Sequence, residues 1–382
     1  MHWLASPILL RQGCDAAVQA LIALPASTPS LRLLADQTAE VLAGMSDALE
    51  GLALLVADPR RARSRSRRAK LHVPDWLPAL VNAGRSFIAI CAVEVFWIVT
   101  AWPNGALAVT WTAISVVVFA TTVDDDEAYV SAMKYMVGTG LAAVCAGVIG
   151  FAVLPRIETF EGFSAAMGVY FVPVGALMAQ PWLAAMFAPM AGNFVPLLAP
   201  ANEMSYDTVQ FYNTALAIVA GCAVAGLSFR LLPPLSPAMR TRRLLALTLR
   251  DLRRLATSST PGMIDDWEQR ICSRLVVLPD HAEPLQRAQL VAALSVGSAM
   301  IRLRRIIGQL IGQEDLDAAL AALAQGDTER ATRRLAFVDR ELASASGEGL
   351  SAADTLRARA SILAVSDALS QYASYFGAGA RT

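Results

Sequence analysis

The chain has 382 residues, 55% of them hydrophobic and 17% charged, and its 32 basic and 32 acidic residues cancel. So apolar a chain is not one water-soluble domain, and a zero net charge summed over unlike parts names no partner. Five scattered cysteines (Cys14, Cys91, Cys145, Cys222, Cys272) and three dispersed histidines (His2, His72, His281) give neither a disulfide framework nor a zinc centre.

Residues 1–75 read as a soluble helical arm. Leu34, Val41, Leu42, Met45, Leu49 and Leu52 recur at the helical period between acidic residues, which predicts one packed face. The first apolar stretch is broken by Arg11 and Asp15 and no basic region precedes it, so it does not read as a cleavable signal peptide. After Pro59 come seven basic residues: Arg60, Arg61, Arg63, Arg65, Arg67, Arg68 and Lys70. Beside a membrane helix such a run is a topology signal facing anionic lipid rather than a nucleic-acid patch.

Six apolar segments follow: Val81–Ala101, Gly105–Thr122, Tyr135–Leu154, Phe163–Met178, Trp182–Leu198 and Tyr212–Leu232. Only Arg85, Lys134 and Arg156 interrupt the stretch between Val73 and Phe229 with a basic charge. About 20 apolar residues span the roughly 30 Å hydrocarbon core as a helix. The pattern therefore predicts an all-α polytopic membrane protein, with six transmembrane helices flanked by cytoplasmic helical regions. Its parts are 1–75, 76–233 and 234–382. An even number of spans with basic sequence at both ends places both termini in the cytoplasm.

The fourth and fifth segments are short and hold Pro173, Pro189 and Pro196. They are either broken helices lining a path or ordinary helices whose freed backbone groups find partners. Gly138, Gly140, Ala142, Ala146 and Gly147 in the third segment are small, as are Gly221, Ala225 and Gly226 in the sixth. Such residues predict close helix–helix contacts. Trp97, Trp102, Trp111, Trp182 and Tyr212 lie toward segment ends, where an interfacial belt forms.

From Pro234 the chain reads as a helical bundle. Leu245, Leu249, Leu252 and Ala256 form an amphipathic stripe, interleaved with arginines. Pro261–Gly262, Pro279 and the Gly347–Gly349 region divide this part into four or five helices, and Ser351 with Asp354 is an N-cap for the last. Strand alternation, a glycine-rich phosphate loop and a catalytic triad are all missing from the pattern, so neither an enzyme nor an ATPase is expected and no cofactor is implied.

Glu94 lies well inside an apolar segment. Charged residues there are costly and usually face a protein interior or an aqueous cavity, so Glu94 is the candidate for picking up and releasing protons. Hydrogen bonding to a neighbouring helix is its structural alternative. Arg85 is expected to snorkel to the headgroups; read functionally, it is a cationic gate for an anionic substrate. Asn193 and Asn213 are amides that bond across helices or contact substrate. Tyr206 and Asp207 precede the sixth segment on the outer side, and with Trp97 they complete the candidate substrate path. Asp124, Asp125, Asp126 and Glu127 form an acidic connection, read as a solvated loop.

Several ordered stretches resemble the fusaric acid resistance family, which includes the p-hydroxybenzoic acid efflux pump subunit. The first runs Arg85…Phe96-Trp97-Ile98…Thr100…Trp102-Pro103…Gly105, followed by Lys134…Gly138-Thr139…Leu154-Pro155 and Asn193-Phe194 with Leu197-Leu198. Then come Tyr206-Asp207…Phe211…Asn213…Ala215-Leu216-Ala217 and Phe229-Arg230-Leu231-Leu232. The resemblance implies a proton-driven exporter of aromatic carboxylic acids in a bacterial inner membrane, working beside a periplasmic adaptor of the membrane-fusion class. It also implies that the chain begins within the family's middle region and keeps the second of two six-helix halves. Pairing follows, with a second copy or with a separately encoded N-terminal half. Two other readings stay open: a passive organic-anion channel, and a non-transporting membrane scaffold or truncated half-transporter.

Overall fold

Backbone groups within a long apolar run have no water to bond, so each run closes its hydrogen bonds within itself as a helix. The computed structural model describes residues 7–57, 75–122, 127–201, 204–257, 261–307, 313–344 and 351–378, and every regular element among them is helical. The basic run Arg60–Lys70, the acidic residues Asp124–Asp126 and the Gly347–Gly349 divider lie outside the described residues. The chain forms two units, one of Met1–Pro74 with Pro237–Thr382 and one of Asp75–Ser236.

In the first unit, α1 (Pro7–Ala23) and α2 (Pro29–Ala57) make a hairpin closed by Arg32. Its guanidinium donates to the carbonyls of Leu21 (3.0 Å), Ile22 and Leu24 (3.3 Å each) and pairs with Asp36. Carbonyls at a helix end lack intrahelical donors, and Arg32 supplies them. The packed face differs from the one that periodicity predicts. Ala35, Ala39 and Ser46 are buried, whereas Leu34, Val41, Met45 and Leu52 are exposed. Small residues let two helices approach closely, and Ser46 donates to Asp15 at 2.6 Å across the hairpin.

The Asp75–Ser236 unit contains all six apolar segments. They form α3 (Leu77–Thr100), α4 (Gly105–Thr122), α5 (Ala128–Val148), α6 (Phe160–Met178), α7 (Ala184–Leu198) and α8 (Thr208–Leu231). Four of these are long and apolar enough to cross a membrane, and α4 and α7 are shorter apolar helices. Helices α5 and α8 are the most enclosed of the four long spans, while α3 and α6 are the least. The small residues sit at the contacts. A Cβ on Gly138 of α5 would lie 2.0 Å from the Met186 carbonyl of α7, and one on Gly221 of α8 would lie 2.7 Å from the Ala108 carbonyl of α4. Only glycine fits either place. Neither α6 nor α7 is broken at its prolines. The irregularity comes instead after α5, where a π turn (Ile149–Val153) and a 3-10 turn (Leu154–Arg156) run into Pro155.

The other unit continues with α9 (Pro237–Thr257), α10 (Pro261–Val276), α11 (Pro284–Ile307), α12 (Gln313–Ala324), α13 (Thr328–Ser344), α14 (Ala352–Gln371) and the short α15 (Ala373–Phe376). The α9 stripe of Leu245, Leu249, Leu252 and Ala256 is buried in one core with Ile271, Met300, Leu303 and Phe376. Six helices and a terminal turn stand among the described residues, more than the four or five expected. Of the two boundaries not anticipated, after Ile307 and after Ala324, the second falls in an alanine- and leucine-rich stretch, where Gly326 adopts φ 80° and Asp327 accepts from the Arg330 amide at 2.9 Å. Ser351 caps α14 as predicted, accepting from the Asp354 amide at 3.1 Å and donating to its carboxylate at 2.7 Å. Helix α2 packs on α14, and Glu40 pairs with Arg302 at 3.1 Å.

Candidate functional site in the membrane unit

Arg85 lies two turns into α3 and is 2% exposed. It does not snorkel. Its side chain folds inward onto the end of α8, where Nε donates to the Leu232 carbonyl at 2.8 Å and Cζ sits 4.5 Å from the centre of the Phe229 ring. The aromatic face and the last carbonyl of α8 draw the cation in, since both carry negative partial charge. Nη1 and Nη2 are buried and have no hydrogen-bond partner among the described residues. A guanidinium offers five N–H donors in a planar fork that matches a carboxylate. This one has a single donor engaged.

A chain of buried polar groups crosses the middle of the unit. Asn193 of α7, also 2% exposed, donates Nδ2 to Thr139 Oγ1 at 2.8 Å and accepts from the Tyr135 hydroxyl at 3.4 Å. Cys222 of α8 accepts from Thr139 at 3.9 Å and from Ser115 of α4 at 3.5 Å. Helices α4, α5, α7 and α8 are thus tied by one network. Beside it Tyr170 of α6 donates to the Met190 carbonyl at 2.8 Å and stacks on Phe194, with centroids 3.8 Å apart. Buried polar groups left unmatched cost more than they return, so such a network fixes the register of four helices.

The remaining predicted residues gather where α3 ends and α8 begins. Trp97 covers Gly105, the first residue of α4. Trp102 donates Nε1 to Asn213 Oδ1 at 3.4 Å, and Asn104 donates to Thr214 at 2.9 Å. Asp207 caps α8, accepting from the amides of Val209 (2.9 Å) and Gln210 (3.1 Å). Tyr206 and Asp207 line a cleft of about 210 Å³ with Leu198, Met204, Phe151 and Phe211. The π turn contributes Phe151 to it, edge-on to Phe211 at 5.2 Å.

Glu94 is exposed on the outer face of α3, between the exposed side chains of Phe87, Val95 and Ile98. The interior-facing position expected for it is not found within this unit. Arg85 and Glu94 are nine residues apart, which at 3.6 residues per turn puts them on opposite sides of the helix and roughly 14 Å apart along it. The structure therefore brings together Trp97, Asn213, Tyr206 and Asp207 at one end. It keeps Arg85 at the other, Asn193 between them and Glu94 outside.

Sequence reasoning gave no individual role to Tyr135, Thr139, Ser115, Cys222 or Phe229, although Thr139 and Phe229 stand in the stretches that carry the family resemblance. A signal existed for the first two: hydroxyls four residues apart share one helix face in an otherwise apolar run. Among the described residues no group of three or more His, Cys, Asp or Glu could hold a metal ion.

Residues 8–376 match the fusaric acid resistance protein family, so the chain belongs to that family. It is 28% identical to an uncharacterized transporter of Gluconobacter oxydans over 237 residues, 61% of this chain and 32% of the relative. It is 27% identical to the uncharacterized transporter YdhK of Escherichia coli over 178 residues, 46% of this chain and 26% of the relative. It is 25% identical to the p-hydroxybenzoic acid efflux pump subunit AaeB of Musicola paradisiaca over 266 residues, 66% of this chain and 39% of the relative. The matched stretch thus covers well under half the length of each of these curated relatives. With its apolar helices, the chain is a polytopic membrane protein of a transporter family.

Proposed function

We propose that the six apolar helices are one half of a secondary exporter of aromatic carboxylates and related organic anions. The exporter is driven by protons and lies in a bacterial inner membrane with both termini cytoplasmic. One observation carries the reading: Arg85 is enclosed by protein while two of its guanidinium nitrogens have no match among the described residues. A carboxylate completes that fork with two charge-assisted hydrogen bonds. The name of the Musicola relative supplies p-hydroxybenzoate as the first substrate to try.

In this reading Asn193 and Asn213 contact the substrate along its path, and Trp97, Tyr206 and Asp207 form the exit. Glu94 carries the coupling proton. Its outward side chain requires cover, because a charged group near a helix centre costs roughly 2.5–3.5 kcal/mol in lipid. A second six-helix half provides that cover, as another copy of this chain or a separately encoded N-terminal half, and a periplasmic membrane-fusion adaptor completes export. The protein performs no catalysis and recognises no nucleic acid.

The test uses inside-out vesicles from cells expressing the full chain, loaded with labelled p-hydroxybenzoate outside and energised to acidify the lumen. Accumulation that collapses with a protonophore and is lost in Arg85→Ala supports the proposal. Flux down either gradient without accumulation replaces it with a passive channel. Normal accumulation in Arg85→Ala removes the anion site.

A further inference from the structure

The structure assigns a second organic-anion site to the helical unit outside the membrane segments: a basic groove along α9 that takes a carboxylate carrying an aromatic or short aliphatic body. One face of α9 is buried in the core. On its outward flank Arg242, Ala246, Arg250 and Arg253 fall on successive turns of one stripe, with Arg254 beside it, and together with the core-edge side chains of Leu245 and Leu249 they line a concavity of about 680 Å³. Ala324 from α12 and Tyr375 with Ala378 from the C-terminal turn form its walls. That volume lies within the usual range for small-ligand sites, roughly 300–1,000 Å³.

Among the described residues the lining contains four arginines and no acidic residue. The guanidinium groups of Arg242, Arg250 and Arg254 make no ion pair or hydrogen bond among the described residues. The nearby acid, Asp251, does not offset them, because Arg274 holds it at 2.6 Å and Arg270 at 3.7 Å. Arg253 is fixed in place, donating to the carbonyls of Phe376 (3.2 Å) and Ala378 (2.6 Å), while its buried Nε lacks a partner among the described residues. Arginines that only signal topology need no common floor, yet these surround Leu245, Ala246 and Leu249. An inorganic anion would leave that floor wet, and a neutral aromatic would leave the charges unmatched. An organic anion satisfies both, with the carboxylate on the guanidinium forks and the body on the floor.

The groove shares no residue with the Arg85 site, so its test runs in an Arg85→Ala background with the full chain purified in a non-ionic detergent. The probe is naphthoate, followed by calorimetry, with naphthamide as its uncharged twin and sulfate as the inorganic anion. Naphthoate should bind saturably, and naphthamide and sulfate should each bind at least about tenfold more weakly, a difference of roughly 1.4 kcal/mol. Arg250→Ala with Arg254→Ala should weaken naphthoate by about the same factor. Ala246→Trp keeps every charge, changes an exposed position, and should block binding by filling the floor. Unaltered binding in both variants overturns the site. So does sulfate binding as tightly as naphthoate, or binding confined to vesicles of acidic phospholipid.

Discussion

Arg85 lies over the ring of Phe229, 4.5 Å from its centre, and among the described residues its guanidinium engages only Nε, with the carbonyl of Leu232. A structural arginine so enclosed would be expected to have its whole fork matched. Taking a charge out of water costs several kcal/mol, and one hydrogen bond with one ring face offsets only part of it, so an apolar residue of similar size removes that penalty. Arg85→Met should therefore keep or raise the thermal midpoint of the detergent-solubilised protein. Export should fall, because charge-assisted hydrogen bonds contribute roughly 1.5–3 kcal/mol, a ten- to hundredfold loss of flux at low substrate. A variant that unfolds would make Arg85 a structural residue.

Asn193 offers a contrasting case, since its amide is matched on both sides, by Tyr135 and Thr139. Asn193→Ala strands the Tyr135 hydroxyl, removes the donor to Thr139, whose own hydroxyl still donates to the Tyr135 carbonyl at 2.9 Å, and opens a gap between α5 and α7. The expected cost is about 1–3 kcal/mol, visible as a lower thermal midpoint. An unchanged midpoint would mean that the network does not set helix register.

The class of fold was legible because a run of about 20 apolar residues admits few structures in lipid. Helix pairing was legible too, through Gly138 and Gly221, which only close contact explains. The direction of individual charges was not. Nine residues separate Arg85 from Glu94, so geometry alone forbids both from facing one interior, yet nothing in the sequence says which faces in. That is decided by Phe229 and the carbonyl of Leu232, 144 and 147 residues beyond Arg85 in the chain. The α2 face was misread for a related reason. Periodicity picks out large apolar residues, while the hairpin buries Ala35, Ala39 and Ser46.

Two glycines of α5 make an internally controlled pair. Gly138→Ala would drive a methyl against the Met186 carbonyl, whereas a Cβ at Gly140 meets nothing within 4 Å. Overpacking should cost the first variant about 1–3 kcal/mol. The second should gain about 0.5–1 kcal/mol from helix propensity. Equal thermal midpoints for the two would contradict the α5–α7 contact.

Tyr375 predicts a pH effect in the α9–α15 unit. Its hydroxyl donates to the Leu245 carbonyl at 3.1 Å, and burial pushes its pKa well above the ordinary tyrosine value. A raised folded pKa means that the neutral phenol is favoured in the fold. That contribution is complete below the unfolded value of about 10 and is lost as pH rises through and beyond it. The thermal midpoint of the parent protein should drop more steeply above about pH 10 than that of Tyr375→Phe, which has no phenol to ionise. At neutral pH the variant should be less stable by about 0.5–1.5 kcal/mol, the worth of the lost hydrogen bond. Parallel pH profiles would show that Tyr375 ionises freely.

Glu94 provides the sharpest division between a coupling role and a packing role. It stands on the outer face of α3 with Val95 and Ile98, both exposed, and α3 contacts only α4 and α8 among its neighbours with extensive packing. A second membrane half over this face would shield the carboxyl. Single cysteines at Val95 or Ile98 should then cross-link in native membranes, to a second copy or to another chain. Cysteines at Val169 or Val172, exposed on α6, serve as the comparison. Glu94→Gln preserves the shape and hydrogen-bonding capacity of the side chain but cannot take up and release a proton. If Glu94 carries the coupling proton, the variant should cross-link normally and exchange labelled substrate, yet fail to accumulate it against a gradient. Normal accumulation would confine Glu94 to holding the seam. Loss of cross-linking at α3 alone would show that the amide cannot replace the carboxylate in that contact.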